Sequence, residues 1–194
     1  MRVVALIAGL LGLIASPAGA EQFVGPNGSF TLDFGPEWQV IQAQNRGGVI
    51  CKDEACGGDR VFCILLPRAD EGATPGQALP DTVVKKFAEG VVRMPPPGMK
   101  SEFVAPFTPR TLGAVPGSWG EIVTRGDKGA THFGLFLFAA PGFDVAFSCG
   151  APDGRWAAHR GKIETLLATA KVSAAATPPS APGAHPAEPE AQPR

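Results

Sequence analysis

The stretch THFGLFLFAAPGFDVAFSC, residues 131–149, reads as two apolar strands around the turn APG. His132 to Phe138 is apolar at both odd and even positions, which is the pattern of a central strand covered on both faces. Phe143, Val145, Phe147 and Cys149 then share one face of the second strand, because side chains alternate along an extended chain.

Strand signals surround this hairpin. SFTLDF (residues 29–34) alternates, with Phe30, Leu32 and Phe34 on one side and Thr31 and Asp33 on the other. The preceding FVGPNGSF carries a turn, which makes Gln22 to Val24 the partner of a hairpin. EWQVIQAQ, with Trp38 and Val40 on one side, then GGVICKD and RVFCILLPR, continue the series, the last two joined by EACGGD. After residue 100 come SEFVAPF, TLGAV and SWGEIVTR, and a GDKG turn leads into the opening stretch.

Two segments change period. In LPDTVVKKFAEGVV, Val83, Val84, Phe87, Ala88 and Val91 recur at helical spacing, with Lys85, Lys86 and Glu89 opposite and Asp81 placed as the cap. RMPPPGMK ends this helix, since prolines cannot continue it. PDGRWAAHRGKIETLLATAKV gives a second helix over 154–170, with Asp153 as cap and Trp156, Ile163, Leu166, Leu167 and Ala170 as its buried stripe. The expected class is α+β: a mainly antiparallel sheet flanked by two helices.

The order of these parts resembles a known superfamily. A strand, a PEW corner after it, a central helix, a hairpin-rich block starting at TLGAVPG, a long apolar strand and a closing helix with a short tail are similar to the PsbP-like α/β/α sandwich, which includes the DcrB-like bacterial envelope proteins. The likeness covers most of Ser29 to Val172 and implies helices on both sides of the sheet and an accessory, non-enzymatic role. The chain departs from it in lacking a lipid-anchor cysteine and in carrying four cysteines. A second comparison, with the exported, cysteine-containing invasion-associated locus B family, implies an all-β fold, which the two helical segments oppose.

Residues 1–20 read as a secretory signal: Arg2, an apolar run of thirteen residues and SPAGA, with cleavage after Ala20. The run falls short of the roughly twenty residues that cross a bilayer, and the first cysteine is Cys51, so no membrane anchor is expected. Residues 21–172 form one domain. Ser173 to Arg194 holds six prolines and seven alanines in 22 residues with no large apolar side chain, the composition of a disordered Pro/Ala-rich tail. The chain carries 17 Lys and Arg against 18 Asp and Glu, a formal net charge of −1. Nothing in that balance attracts nucleic acid or an anionic membrane.

An exported chain reaches an oxidising compartment, where Cys51, Cys56, Cys63 and Cys149 are most simply two disulfides. The spacings C-x4-C and C-x6-C, with the fourth cysteine 86 residues on, match neither the short paired spacing of zinc sites nor the C-x-x-C of redox centres. Strand parity points Cys63 and Cys149 toward apolar surroundings, favouring Cys63–Cys149 and a local Cys51–Cys56 loop. A hairpin centred on Gly57 would instead oppose Cys51 to Cys63 and leave Cys56 for Cys149.

No catalytic, cofactor or metal residue is expected. His132, His159 and His185 have no nucleophile or acid at motif spacing. Ser118 in PGSWG fails the G-x-S-x-G pattern because Pro116 holds the first position. Asp53 with Glu54 and Asp70 with Glu71 lack the calcium-loop pattern, GPNG and GDKG are hairpin turns, and the Asn27 sequon matters only in a eukaryotic secretory host. Trp119, set between small residues in GSWGEI, reads first as a core-packing residue, and the sharper reading set against it is a partner groove with Phe103 and Phe107. The expected partner is a protein of the envelope or extracellular space, for an accessory or binding domain that is not an enzyme; an enzyme whose site is assembled from distant loops is the remaining alternative.

Overall fold

Among the described residues, ten strands and three α-helices follow one another: β1 (Glu21–Val24), β2 (Phe30–Phe34), β3 (Trp38–Ala43), β4 (Arg46–Cys51), α1 (Asp53–Cys56), β5 (Phe62–Ala69), α2 (Asp81–Arg93), β6 (Lys100–Leu112), β7 (Val115–Gly126), β8 (Gly129–Ala140), β9 (Phe143–Pro152), α3 (Trp156–Leu167) and β10 (Lys171–Val172). The structure is a computed structural model and describes residues 21–43, 46–69, 74–93, 95 and 97–173. The expected secretory signal, residues 1–20, and all of the expected tail beyond Ser173 lie outside the described residues, as do Asp70 and Glu71.

Seven strands form one antiparallel sheet in the order β3-β4-β5-β9-β8-β7-β6, and β1-β2-β10 form a small second sheet. In keeping with the two-sided apolar pattern of residues 132–138, β8 lies between β7 and β9, in the interior of the large sheet. Its even positions, Phe136 and Phe138, enter one core with Phe147, Trp156, Ile163 and Leu167. Its odd positions, Leu135 and Leu137, enter the other with Val83, Val84 and Phe87. So α3 and the small sheet cover one face and α2 covers the other. Phe30 locks the small sheet down: it is fully buried and meets Phe138 and Phe147 edge-on, at ring separations of 5.6 and 5.8 Å. This is the α+β sandwich, with the additional three-stranded sheet as a further part of one layer.

Four local readings are corrected. TLGAV is not a strand: Gly113 adopts a left-handed φ of 58° and turns β6 into β7. EACGGD contains the single helical turn α1, closed by Gly57 in the left-handed region. Asp81 is the first residue of α2 rather than its cap, and the Pro80 carbonyl accepts from the amides of Val83 and Val84. Asp153 does not cap α3, whose N-cap is Arg155; Asp153 opens a 3-10 turn, and its carboxylate is used elsewhere. Lys171 and Val172 leave the helix to pair with β2, and Ser173 continues that pairing through its amide to the Ser29 carbonyl.

The cysteines are paired Cys51–Cys56 and Cys63–Cys149. Register explains this. Cys63 stands directly opposite Cys149 between β5 and β9, whereas Val49, not Cys51, stands opposite Cys63 between β4 and β5. Cys51 therefore reaches only into the α1 turn. The Cys63–Cys149 link spans 86 residues against 5 for the other, and loop-closure entropy predicts about 4–5 kcal/mol for the long link and about 2 kcal/mol for the short one. Urea unfolding of the Cys63→Ala/Cys149→Ala and Cys51→Ala/Cys56→Ala chains should rank in that order; equal losses would contradict it.

Candidate functional site

Trp119 and Glu121 are two residues apart on β7 and so face the same way, onto the α3 side of the sheet. Gly134 on β8 leaves room for them, since a Cβ there would lie 2.4 Å from the Trp119 ring and 2.8 Å from that of Trp156. Both indoles turn their N–H toward the buried Glu121 carboxylate. Trp119 Nε1 donates to Oε1 at 2.9 Å and Trp156 Nε1 to Oε2 at 3.1 Å. Arg160, one helical turn beyond Trp156, reaches Oε1 at 3.2 Å, and His132 Nε2 lies 3.0 Å from Oε2. The His132 ring stacks on Trp156 at 4.4 Å, and its Nδ1 is 3.2 Å from Asp153, which also holds Arg125.

Four groups thus surround one carboxylate, two on each oxygen: two indole donors, the His132 ring and the Arg160 charge. Burial disfavours the ionised form, but the Trp119 indole, His132, the Arg160 charge and the Trp156 indole outweigh it and hold the Glu121 carboxyl below its ordinary range. Arg160 and Arg110 both bind Glu164 at 2.7 Å, and Arg110 lies over the Trp119 ring, so the network joins β6, β7, β8 and α3. A second tie uses His159, buried on α3, and Arg155, which hold Asp59 beside the α1 loop at 2.7 and 3.0 Å. Chemically these are braces. Glu121 is met by groups from three elements, and both described histidines face carboxylates.

The open surface is on the other face. Val84 and Ala88 of α2 and Phe103, Val104, Pro106 and Phe107 of β6 line a groove of about 620 Å³, with Asp81, Lys85 and Pro109 also on its wall. Phe107 stands edge-on to both Phe87 and Phe103, at 6.0 Å each. Phe103 is 38% exposed and Val104 49%. In a regular strand these two neighbours would point to opposite faces, as would Pro106 and Phe107. The β6–β7 register slips twice, between Phe103 and Ala105 and between Ala105 and Thr108. Such bulges break the two-residue period, so both members of each pair reach the groove.

The expected groove of Trp119, Phe103 and Phe107 is therefore corrected: Phe103 and Phe107 share a groove, but Trp119 is only 4% exposed and lies on the opposite face, in the α3 core. The small residues beside Trp119 provide close packing, not exposure. Reasoning from sequence missed Glu121, although a glutamate inside the apolar run SWGEIV is itself a signal, because a buried charge has to be met by partners. Among the described residues, no helix is long and apolar enough to cross a membrane, and no three His, Cys, Asp or Glu residues form a group that would hold a metal ion.

No protein-family profile matches the chain, and no curated protein matches it. Solved structures do. The cyanobacterial PsbP (CyanoP) of Synechocystis sp. PCC 6803 superposes with a TM-score of 0.58 at 11% identity, over 85% of this chain and 98% of that one. A protein of Bacteroides thetaiotaomicron VPI-5482 superposes at 0.50 and 12% identity, over 80% of this chain and 49% of that one, so the present chain spans about half its length. The fold is PsbP-like.

Because the folded Glu121 pKa lies below its unfolded value, the native state binds fewer protons than the unfolded chain in this range, and stability falls as pH drops below about 4.5. Asp33, Asp59 and Asp153 are also lowered and act in the same direction. Glu121→Gln should cost about 1.5–3 kcal/mol at neutral pH and flatten the stability profile between about pH 5 and pH 3. Denaturation midpoints across that range would show it, and a profile as steep as wild type would refute the assignment.

Proposed function

We propose that this chain is an exported, non-enzymatic binding domain of the bacterial cell envelope, and that it holds a protein partner in the groove between α2 and β6. The observation that carries this reading is the groove itself. It is apolar, rimmed by Lys85 and Asp81, and built on an edge strand whose bulges turn Phe103, Val104, Pro106 and Phe107 outward. Partly exposed aromatic side chains in a concave apolar setting are what protein interfaces use as anchors.

Export is supported by the signal-like residues 1–20 and by the two disulfides, which persist in oxidising compartments. A non-enzymatic role is supported by the charged cluster, whose central carboxylate is buried and engaged by the protein's own indoles and Arg160. The near-neutral charge balance supports a protein partner over nucleic acid.

A photo-crosslinking residue in place of Val104, in the full chain expressed in its bacterial host, should trap one defined partner. The same residue in place of Val24, equally exposed but on the small sheet, should not. Phe103→Asp should weaken binding to that partner by about 30-fold or more, the effect of losing an anchor worth at least about 2 kcal/mol, while the unfolding midpoint stays near wild type. Adducts of equal yield at both positions, or binding indifferent to Phe103→Asp, would remove the groove as the interface.

A further inference from the structure

The groove has a candidate occupant within the chain. We infer that the proline-rich segment of residues 178–193 docks into the α2–β6 groove of its own domain and competes there with the outside partner. The inference rests on the groove being a binding surface, as proposed above, and adds what fills it when no partner is present.

The first argument is the wall of the groove. Pro106 and Pro109 of β6 have no N–H, and the two register slips further interrupt the strand's outer edge. An added β-strand would find no continuous ladder there. A polyproline II segment needs none: it carries no internal hydrogen bonds, is already extended, and is recognised by aromatic-lined apolar grooves. Residues 178–193 hold Pro178, Pro179, Pro182, Pro186, Pro189 and Pro193, and Pro179 with Pro182 and Pro186 with Pro189 each make a P-x-x-P spacing.

The second argument is position and reach. Gly113, in the β6–β7 turn, packs against the Ala168 backbone at the end of α3, and Leu112, Val115 and Ala170 share one core cluster. The described chain ends at Ser173, three residues beyond Ala170, and Pro109 lies only four residues before Gly113 on β6. The end of α3 thus lies beside the β6–β7 turn, while Ser173 is held on the small sheet, on the face opposite the groove, so the tail has to round the sheet edge to reach it. Following β6 from Pro109 to Phe103 covers about 20 Å at roughly 3.3 Å per residue, which six or seven polyproline II residues span at about 3.1 Å each. The 21 residues from Ala174 to Arg194 leave ample length to round the sheet edge.

The third argument is charge and concentration. Lys85 and Asp81 both stand on the groove wall, and the tail carries Glu188 and Glu190 within its proline-rich part and Arg194 at its end, so each wall charge has an opposite charge in the tail to meet it. A tethered segment also experiences an effective concentration in the millimolar range, so even a weak, millimolar-affinity contact would occupy the groove about half the time.

The test is NMR on the full chain purified from the periplasm of a bacterial host. Backbone order parameters for Ala184, Ala187 and Ala191 should exceed about 0.6 in the wild type, the boundary of flexible backbone, with contacts between proline protons and the rings of Phe103 and Phe107. Phe103→Asp, and separately Glu188→Lys/Glu190→Lys, which leaves the folded domain untouched, should drop those order parameters below that value. Wild-type values already below it overturn the inference, as do contacts elsewhere on the domain. Ordering that disappears on dilution assigns the tail to a second copy and overturns docking in cis. A free tail alongside a Val104 adduct leaves the partner groove standing alone, and a docked tail without any adduct leaves the cis contact standing without the partner.

Discussion

The constraint on which the rest depends is the burial of both faces of β8. A strand with phenylalanine on one side at Phe136 and Phe138 and leucine on the other at Leu135 and Leu137 exposes apolar surface whichever way it turns, so each face of the sheet must be covered. The two covers differ. On one face α3 and the β1-β2-β10 sheet close a continuous core running from Trp38 to Leu167. On the other, the 13-residue α2 is the main cover, and it reaches β6 without hiding Phe103 and Val104. The groove is a direct result of covering a seven-stranded sheet with one helix.

The closed face also explains where the buried charge went. Glu121 sits where α3 crosses β7 and β8, and there its four partners come from three elements: Trp119 from β7, His132 from β8, and Trp156 with Arg160 from α3. Removing any one leaves a buried carboxylate short of a donor, a cost that an apolar pair in the same place would not carry. The brace therefore fixes how α3 sits on the sheet more than it adds net stability. Asp59 with His159 and Arg155 performs the same task for the disulfide-closed α1 turn.

What could be read from sequence follows from how local its signals were. The amphipathic period of 81–92 and the alternation of 30–34 each lie within one element, the apolar hairpin of 131–149 lies within two adjacent strands, and all three are present in the structure. The Cys63–Cys149 pairing was reachable because strand parity decides which way a side chain points. TLGAV failed as a strand because alternation continues through Gly113, whose left-handed conformation is invisible in the pattern. Trp119 failed as a groove residue because its small neighbours admit two explanations, exposure or tight packing, and only the positions of Gly134 and Trp156 choose between them. Glu121 draws its partners from 2, 11, 35 and 39 positions away, and no spacing rule collects those.

Strand β6 meets two demands that usually conflict. As the end of a seven-stranded sheet it would invite another strand to pair, which is how exposed edges lead to aggregation. Prolines at 106 and 109 and two register slips disrupt that template. The same slips turn Phe103, Val104 and Phe107 into the groove, so the features that disfavour nonspecific strand pairing also create a specific apolar surface. A ligand that binds there must do so through side chains and shape, without a backbone ladder. That requirement favours extended, proline-containing or helical segments over β-strands, and it sets the chemistry of whatever the groove accepts.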